Sequence, residues 1–130
     1  VEARVLDLDK KLDEQVGAPV ATVLAINVLE HIEDDAEALR RMAALTRPGG
    51  RVAIWVPGYQ QLYGEFDRAV GHVRRYTPAT LRDAFERVGL RPLEVKPVNL
   101  LGGIAWWLTV RRGGVGKQKP GLVRIYDQFV

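Results

Sequence analysis

The sequence contains no cysteine, which removes disulfides, thiolate nucleophiles and the cysteine-based zinc and iron–sulfur sites in one step. A cysteine-free chain fits a reducing compartment, so a cytoplasmic location is expected. Histidine is nearly as scarce. His31 and His72 are the only two, too few for a histidine-rich metal site, and no metal is expected from composition. Long apolar runs are also missing. The longest, Leu100 to Val110, falls short of the roughly 20 residues a bilayer-spanning helix needs. Glu2, Arg4, Asp7, Asp9, Lys10 and Lys11 interrupt any apolar stretch a secretion signal would require. A one-sided charge is absent from most of the chain. Residues 1–110 carry 14 basic and 15 acidic side chains, so the body offers no basic face for nucleic acid. The net charge of +3 comes from residues 111–130, where Arg111, Arg112, Lys117, Lys119 and Arg124 face only Asp127. A solvated basic tail over 111–130 is the expectation, attached to a domain over 1–110.

What is present is ordinary globular material: 130 residues, 47% hydrophobic and 27% charged, enough for one domain with one core. Val1 to Leu8 alternates as a strand does, with Asp7 at its carboxyl end. Val20 to Val28 is a continuous apolar run of strand length, the pattern of a strand covered on both faces in a parallel sheet. Glu33-Asp34-Asp35 opens a helix whose apolar stripe is Ala36, Leu39, Met42 and Ala43; Arg40, Arg41 and Arg47 close it and Pro48-Gly49-Gly50 stops it. Arg51 to Val56 reads as a second buried strand with Trp55 in the core. Tyr59 to Tyr76 has no period and is rich in aromatic and charged residues, as functional loops are. Thr77-Pro78 begins a helix with Leu81, Ala84, Phe85 and Val88 on its apolar face, and Gly89 ends it. Leu93 to Leu100 reads as an edge strand, and Ile104 to Val110 as a strand or short buried helix. Alternating strands and helices predict an α/β fold with a mostly parallel sheet, whose ligands sit outside the carboxyl ends of the strands. Both ends of the chain look cut, which predicts a piece of a longer protein.

Three segments carry a resemblance: INVLEHIEDD (Ile26 to Asp35), RPGGRVAIWVP (Arg47 to Pro57) and LYGEFDRAVGHVRRYT (Leu62 to Thr77). In that order and spacing they resemble the second half of a class I S-adenosylmethionine-dependent methyltransferase. The segment from Gly71 to Tyr76 is similar to a subgroup of small-molecule methyltransferases often encoded near, or fused to, glycosyltransferases. The resemblance implies a Rossmann-like sheet, S-adenosylmethionine as cofactor and a small-molecule methyl acceptor. One departure stands out: no GxGxxG or GxGxG turn follows any strand, and the acid that would hold the cofactor ribose is missing. By the resemblance, Val1 to Leu8 is the third strand, so the domain is truncated on its N-terminal side and inactive alone.

The same resemblance implies that Asp7 accepts a hydrogen bond from the adenine amine, Leu8 packs on the ring, and Ile26 and Asn27 lie beside the methionine moiety. The structural alternatives are a helix cap or solvated acid for Asp7, plain core for Ile26 and a turn cap for Asn27. In the aperiodic loop, His72 is the candidate base and Tyr63 its companion on the acceptor side. Arg74 and Arg75 pair either with an anionic acceptor group or with Glu65 and Asp67. His31 reads as a structural residue bonding a backbone carbonyl, and Glu30 as a surface residue. Trp106-Trp107 reads as core or interface rather than a membrane anchor. Two rival functions are a nicotinamide-cofactor domain and a non-catalytic interaction domain that self-associates through an exposed sheet edge.

Overall fold

The computed structural model describes residues 16, 17 and 19–98. The predicted strand at Val1–Leu8, the segment Ile104–Val110 and the basic tail lie outside the described residues. Within them the chain is α/β. Strand β1 (Val20–Ile26) leads through a 3-10 turn at Leu29–His31 into helix α1 (Asp35–Ala44), then strand β2 (Thr46–Trp55). A second 3-10 turn at Gln60–Leu62, the short helix α2 (Glu65–Ala69) and helix α3 (Pro78–Arg87) follow. β1 and β2 pair in parallel, with Leu24 opposite Ala53 and Ile26 opposite Trp55. This is a small two-stranded version of the expected sheet, with both carboxyl ends on one rim.

Each helix forms where its caps say it should. Asp34 accepts a hydrogen bond from the Glu37 amide at 2.9 Å and so starts α1. Thr77 accepts from the Thr80 amide at 3.1 Å while its own amide donates to the Thr80 hydroxyl at 2.9 Å, with Pro78 in the first turn of α3. Gly89, at φ 77°, ends that helix in the left-handed region open to glycine. Along α1, residues 38, 39 and 42 are buried, as a 3.6-residue period requires. Leu29, Ala38, Leu39, Tyr76 and Ala84 make the core, and Ile32, Ile54, Val56, Leu81, Phe85 and Val88 pack around it. α1 therefore covers one face of the sheet, that of Ala25 and Ile54, and α3 packs against α1.

Several boundaries differ from the sequence reading. β1 stops at Ile26, because Asn27 turns into the left-handed region at φ 51°. α1 ends at Ala44, three residues before Arg47. Thr46 donates its hydroxyl to the Ala43 carbonyl at 2.7 Å, and the Leu45 carbonyl is taken by the Val20 amide at 2.8 Å, which draws the chain into the sheet early. Pro48-Gly49-Gly50 is consequently inside β2, not before it. There the register jumps from Val20–Thr46 to Thr22–Arg51. Glycine is needed at position 50, where a Cβ would lie 2.8 Å from the Arg47 carbonyl oxygen and 2.9 Å from the Thr46 Cβ.

The expectation of two covered faces fails. Leu24 is 64% exposed, Ile26 55% and Trp55 51%, and they share the face opposite the helices. Trp55 is therefore not core: strand alternation places it on the open side. Ile26, for the same reason, is not core either. Leu93 to Val98 is not a strand, since Pro92 and Pro97 each remove a ladder donor. Among the described residues no helix is long and apolar enough to cross a membrane.

Candidate functional site

The rim at the carboxyl ends of β1 and β2 is where the polar residues gather. The Asn27 amide donates to the Trp55 carbonyl at 2.9 Å, the last rung of the sheet. Asn27 itself is exposed, and its left-handed backbone is one that asparagine tolerates better than most residues. Ile26 beside it is exposed as well. Asp7 and Leu8, the other two residues proposed for the cofactor, lie outside the described residues.

From this rim the aperiodic segment leaves and returns at one point. The Tyr59 amide donates to the Tyr76 carbonyl at 2.8 Å and the Tyr76 amide to the Pro57 carbonyl at 3.1 Å, so the loop is tied at its neck. Its interior is built on Asp67, which is fully buried. One Asp67 oxygen accepts from Arg75 Nε at 2.7 Å and from His72 Nδ1 at 2.8 Å; the other accepts from the Gly64 amide at 2.9 Å and starts α2. Burial alone would raise the Asp67 carboxyl. The hydrogen bonds from Arg75, His72 and Gly64 outweigh it and hold the group below the usual carboxylate range. An ionised Asp67 only accepts, so His72 Nδ1 carries the proton and Nε2 is left free of that bond.

Tyr63 and His72, predicted together, are joined: the Tyr63 hydroxyl donates to the His72 carbonyl at 2.7 Å. Arg68 lies over the Tyr63 ring at 5.8 Å. The predicted pairing of Arg75 with Asp67 is present. Arg74 goes elsewhere than Glu65, to the Asp35 carboxylate at 2.9 Å and the Glu33 carbonyl at 2.6 Å. Tyr76 donates its hydroxyl to Asp35 at 3.0 Å. Burial and the Asp35 charge push that phenol well above its ordinary value of 10.

The 3-10 turn after β1 meets this loop from below. His31 Nδ1 donates to the Gly71 carbonyl at 3.0 Å, the structural role read from the sequence. The His31 and His72 rings meet edge to face with centroids 4.7 Å apart. Glu30 is not the surface residue expected: it is fully buried, neither carboxylate oxygen has a hydrogen-bond partner, and Oε1 lies 3.9 Å from His72 Nε2. Sequence reasoning missed this, because 42 positions separate Glu30 from His72. The available signal was that EH and GH dipeptides fall on two segments which the fold brings to one rim.

A family model described as a methyltransferase domain matches residues 4–95, which takes in every element described above. The chain belongs to that family. No curated protein and no solved structure matches the chain. For a methyltransferase domain the rim is the expected place for donor and acceptor, and members of the family typically use S-adenosylmethionine. The described residues fit that group in part. An exposed carboxamide beside an exposed aliphatic side chain, Asn27 and Ile26, suits the amino-acid end of the donor. The sequence supplies no glycine turn to cradle the rest.

Proposed function

We propose that this methyltransferase domain serves methyl transfer from S-adenosylmethionine to a small-molecule acceptor, with the loop from Tyr59 to Tyr76 as the acceptor-side wall. The observation that carries the reading is the Asp67–His72 pair, a buried carboxylate on a partly buried imidazole, at the carboxyl rim of a parallel sheet. When bound, the donor supplies a methyl group already activated on a positive sulfur, so the protein's part is mainly positioning. Ile26 and Asn27 would hold the amino-acid end, and Asp7 and Leu8 the adenine. Asp67 fixes the His72 tautomer and orientation, as a buried carboxylate does for a catalytic imidazole. His72 Nε2 is then the atom that takes the acceptor's proton where the acceptor must lose one. Tyr63 is a positioning residue: its hydroxyl holds the His72 backbone and is spent on that bond.

Amide NMR titration with millimolar S-adenosylmethionine tests the cofactor side, because it detects weak as well as tight binding. Shifts centred on Ile26 and Asn27, reduced in Asn27→Ala, support the reading. No shifts, or the same shifts with a nicotinamide dinucleotide, overturn it. The exposed Leu24, Ile26 and Trp55 face favours one second reading, a non-catalytic domain that associates with a copy of itself. That reading predicts a concentration-dependent mass in sedimentation velocity and no response to the donor.

A further inference from the structure

The fully buried, unpartnered carboxylate of Glu30 is the least explained group in the fold. Burying an ionised carboxylate without hydrogen bonds costs several kcal/mol unless a positive charge faces it. Its neighbour His72 approaches only to 3.9 Å, too far for a hydrogen bond. A third group completes the set. One donor atom each from Glu30, His31 and His72 lies within 4.8 Å of the other two.

We propose that Glu30, His31 and His72 form a binding site for a divalent transition-metal ion of the zinc class. Both imidazoles are prepared for it. His72 Nδ1 is bonded to the Asp67 carboxylate and His31 Nδ1 to the Gly71 carbonyl, so each ring has its Nε2 left to coordinate. A ligating histidine held through its other nitrogen by a carboxylate or a carbonyl is the usual outer arrangement of a metal site. Two imidazole nitrogens and one carboxylate favour zinc, cobalt or nickel over magnesium or calcium, which prefer all-oxygen shells. Tetrahedral bonds of about 2.0–2.1 Å place donor atoms about 3.3 Å apart, so the 3.9 Å Glu30–His72 gap closes by about 0.6 Å and no pair of the set by more than about 1.5 Å on binding. His31 is exposed, so the set is reached from solvent on that side, and three protein ligands leave the fourth tetrahedral position to a non-protein ligand such as water. The ion would join the turn after β1 to the loop. It would also occupy His72 Nε2 and withdraw it from proton transfer. The site shares His72 with the methyl-transfer reading but none of the residues assigned to the cofactor, so metal binding is tested without the donor and the failure of either reading is seen separately.

Cobalt(II) titration of the chelator-stripped chain provides the test. Because the chain has two histidines and no cysteine, any imidazole-ligand signature belongs to His31 and His72. The expected result is a one-equivalent visible d–d band of a tetrahedral site, displaced by zinc and not by excess magnesium, with both histidine Cε1 proton signals shifted. Glu30→Gln and His31→Ala should each weaken binding by more than about 100-fold, beyond the 10–100-fold typical of outer-shell losses. His31 is exposed, so His31→Ala keeps the test decisive if the buried Glu30 variant fails to fold. A missing band, a band unchanged in His31→Ala, or histidine signals indifferent to zinc would overturn the proposal.

Discussion

Replacing Asp67 with asparagine asks whether the loop is held by charge or by shape. The side chain keeps its volume and one carbonyl oxygen, but loses the negative charge that faces Arg75 Nε at 2.7 Å and His72 Nδ1 at 2.8 Å. Asp67 is fully buried and the Arg75 side chain 6% exposed, so solvent cannot make up the loss. Breaking a buried pair from one side costs about 3–5 kcal/mol. Asparagine retains an acceptor, which puts the expected cost near the lower end, about 3 kcal/mol. In a chain of 130 residues that corresponds to a fall in Tm of roughly 10 °C. Urea unfolding followed by circular dichroism measures it, with an unchanged m-value as the sign of an intact fold. The pH dependence gives a second reading of the same charge. The folded-state carboxyl lies below its unfolded value of 3.8, so the stabilisation is complete above that value and disappears as pH falls through the folded one. The gap between the native chain and Asp67→Asn should narrow as the pH falls below about 4. A gap under about 1 kcal/mol at neutral pH, or one that does not narrow on acidification, would refute the reasoning.

Three further outcomes are expected. Tyr76 should resist ionisation: in an alkaline titration followed at 295 nm its signal should be missing near pH 10 and appear at higher pH or with unfolding, and Tyr76→Phe should abolish that late component. The sign follows from a raised folded value, so the Tyr76 contribution to stability is whole below pH 10 and is lost as pH rises above it. Gly50→Ala drives a methyl group into the Arg47 carbonyl and should cost about 1–3 kcal/mol in chemical unfolding. Leu39→Ala empties a fully buried position between α1 and the rest of the core and should cost about 2–5 kcal/mol, with a matching loss of Tm in calorimetry.

The helices were legible because their signals are local. Asp34, Thr77-Pro78 and Gly89 act within one turn of where they stand, and the spacing of Leu39 and Met42 needs no partner to be read. Strand limits were less legible. Whether Thr46 continues a helix or enters a sheet depends on Val20, 26 positions earlier, which claims the neighbouring carbonyl. Burial of the sheet was misjudged for a related reason: an apolar run announces that a face wants covering, not that the cover is at hand, and Leu24, Ile26 and Trp55 are the result. In the aperiodic loop, the sequence pointed to the Asp67–Arg75 pair, whose members sit eight positions apart. It did not point to Glu30 meeting His72, because nothing in the chain between them encodes that approach; it arises when β1 and the loop finish on the same side of the sheet.

The knot at the neck of the loop has a consequence for how such a domain changes over generations. With Pro57, Tyr59 and Tyr76 fastened together, and Gly71, Val73 and Arg74 bonded to His31, Glu30, Glu33 and Asp35, the stretch between residues 60 and 70 is the part of the loop whose length the scaffold registers least. Lengthening a closed loop twofold costs only about 0.6 kcal/mol of closure entropy. On the proposed reading of this loop as the acceptor-side wall, new selectivity is acquired by changes between residues 60 and 70 while the bonds from residues 71–74 to the framework are inherited.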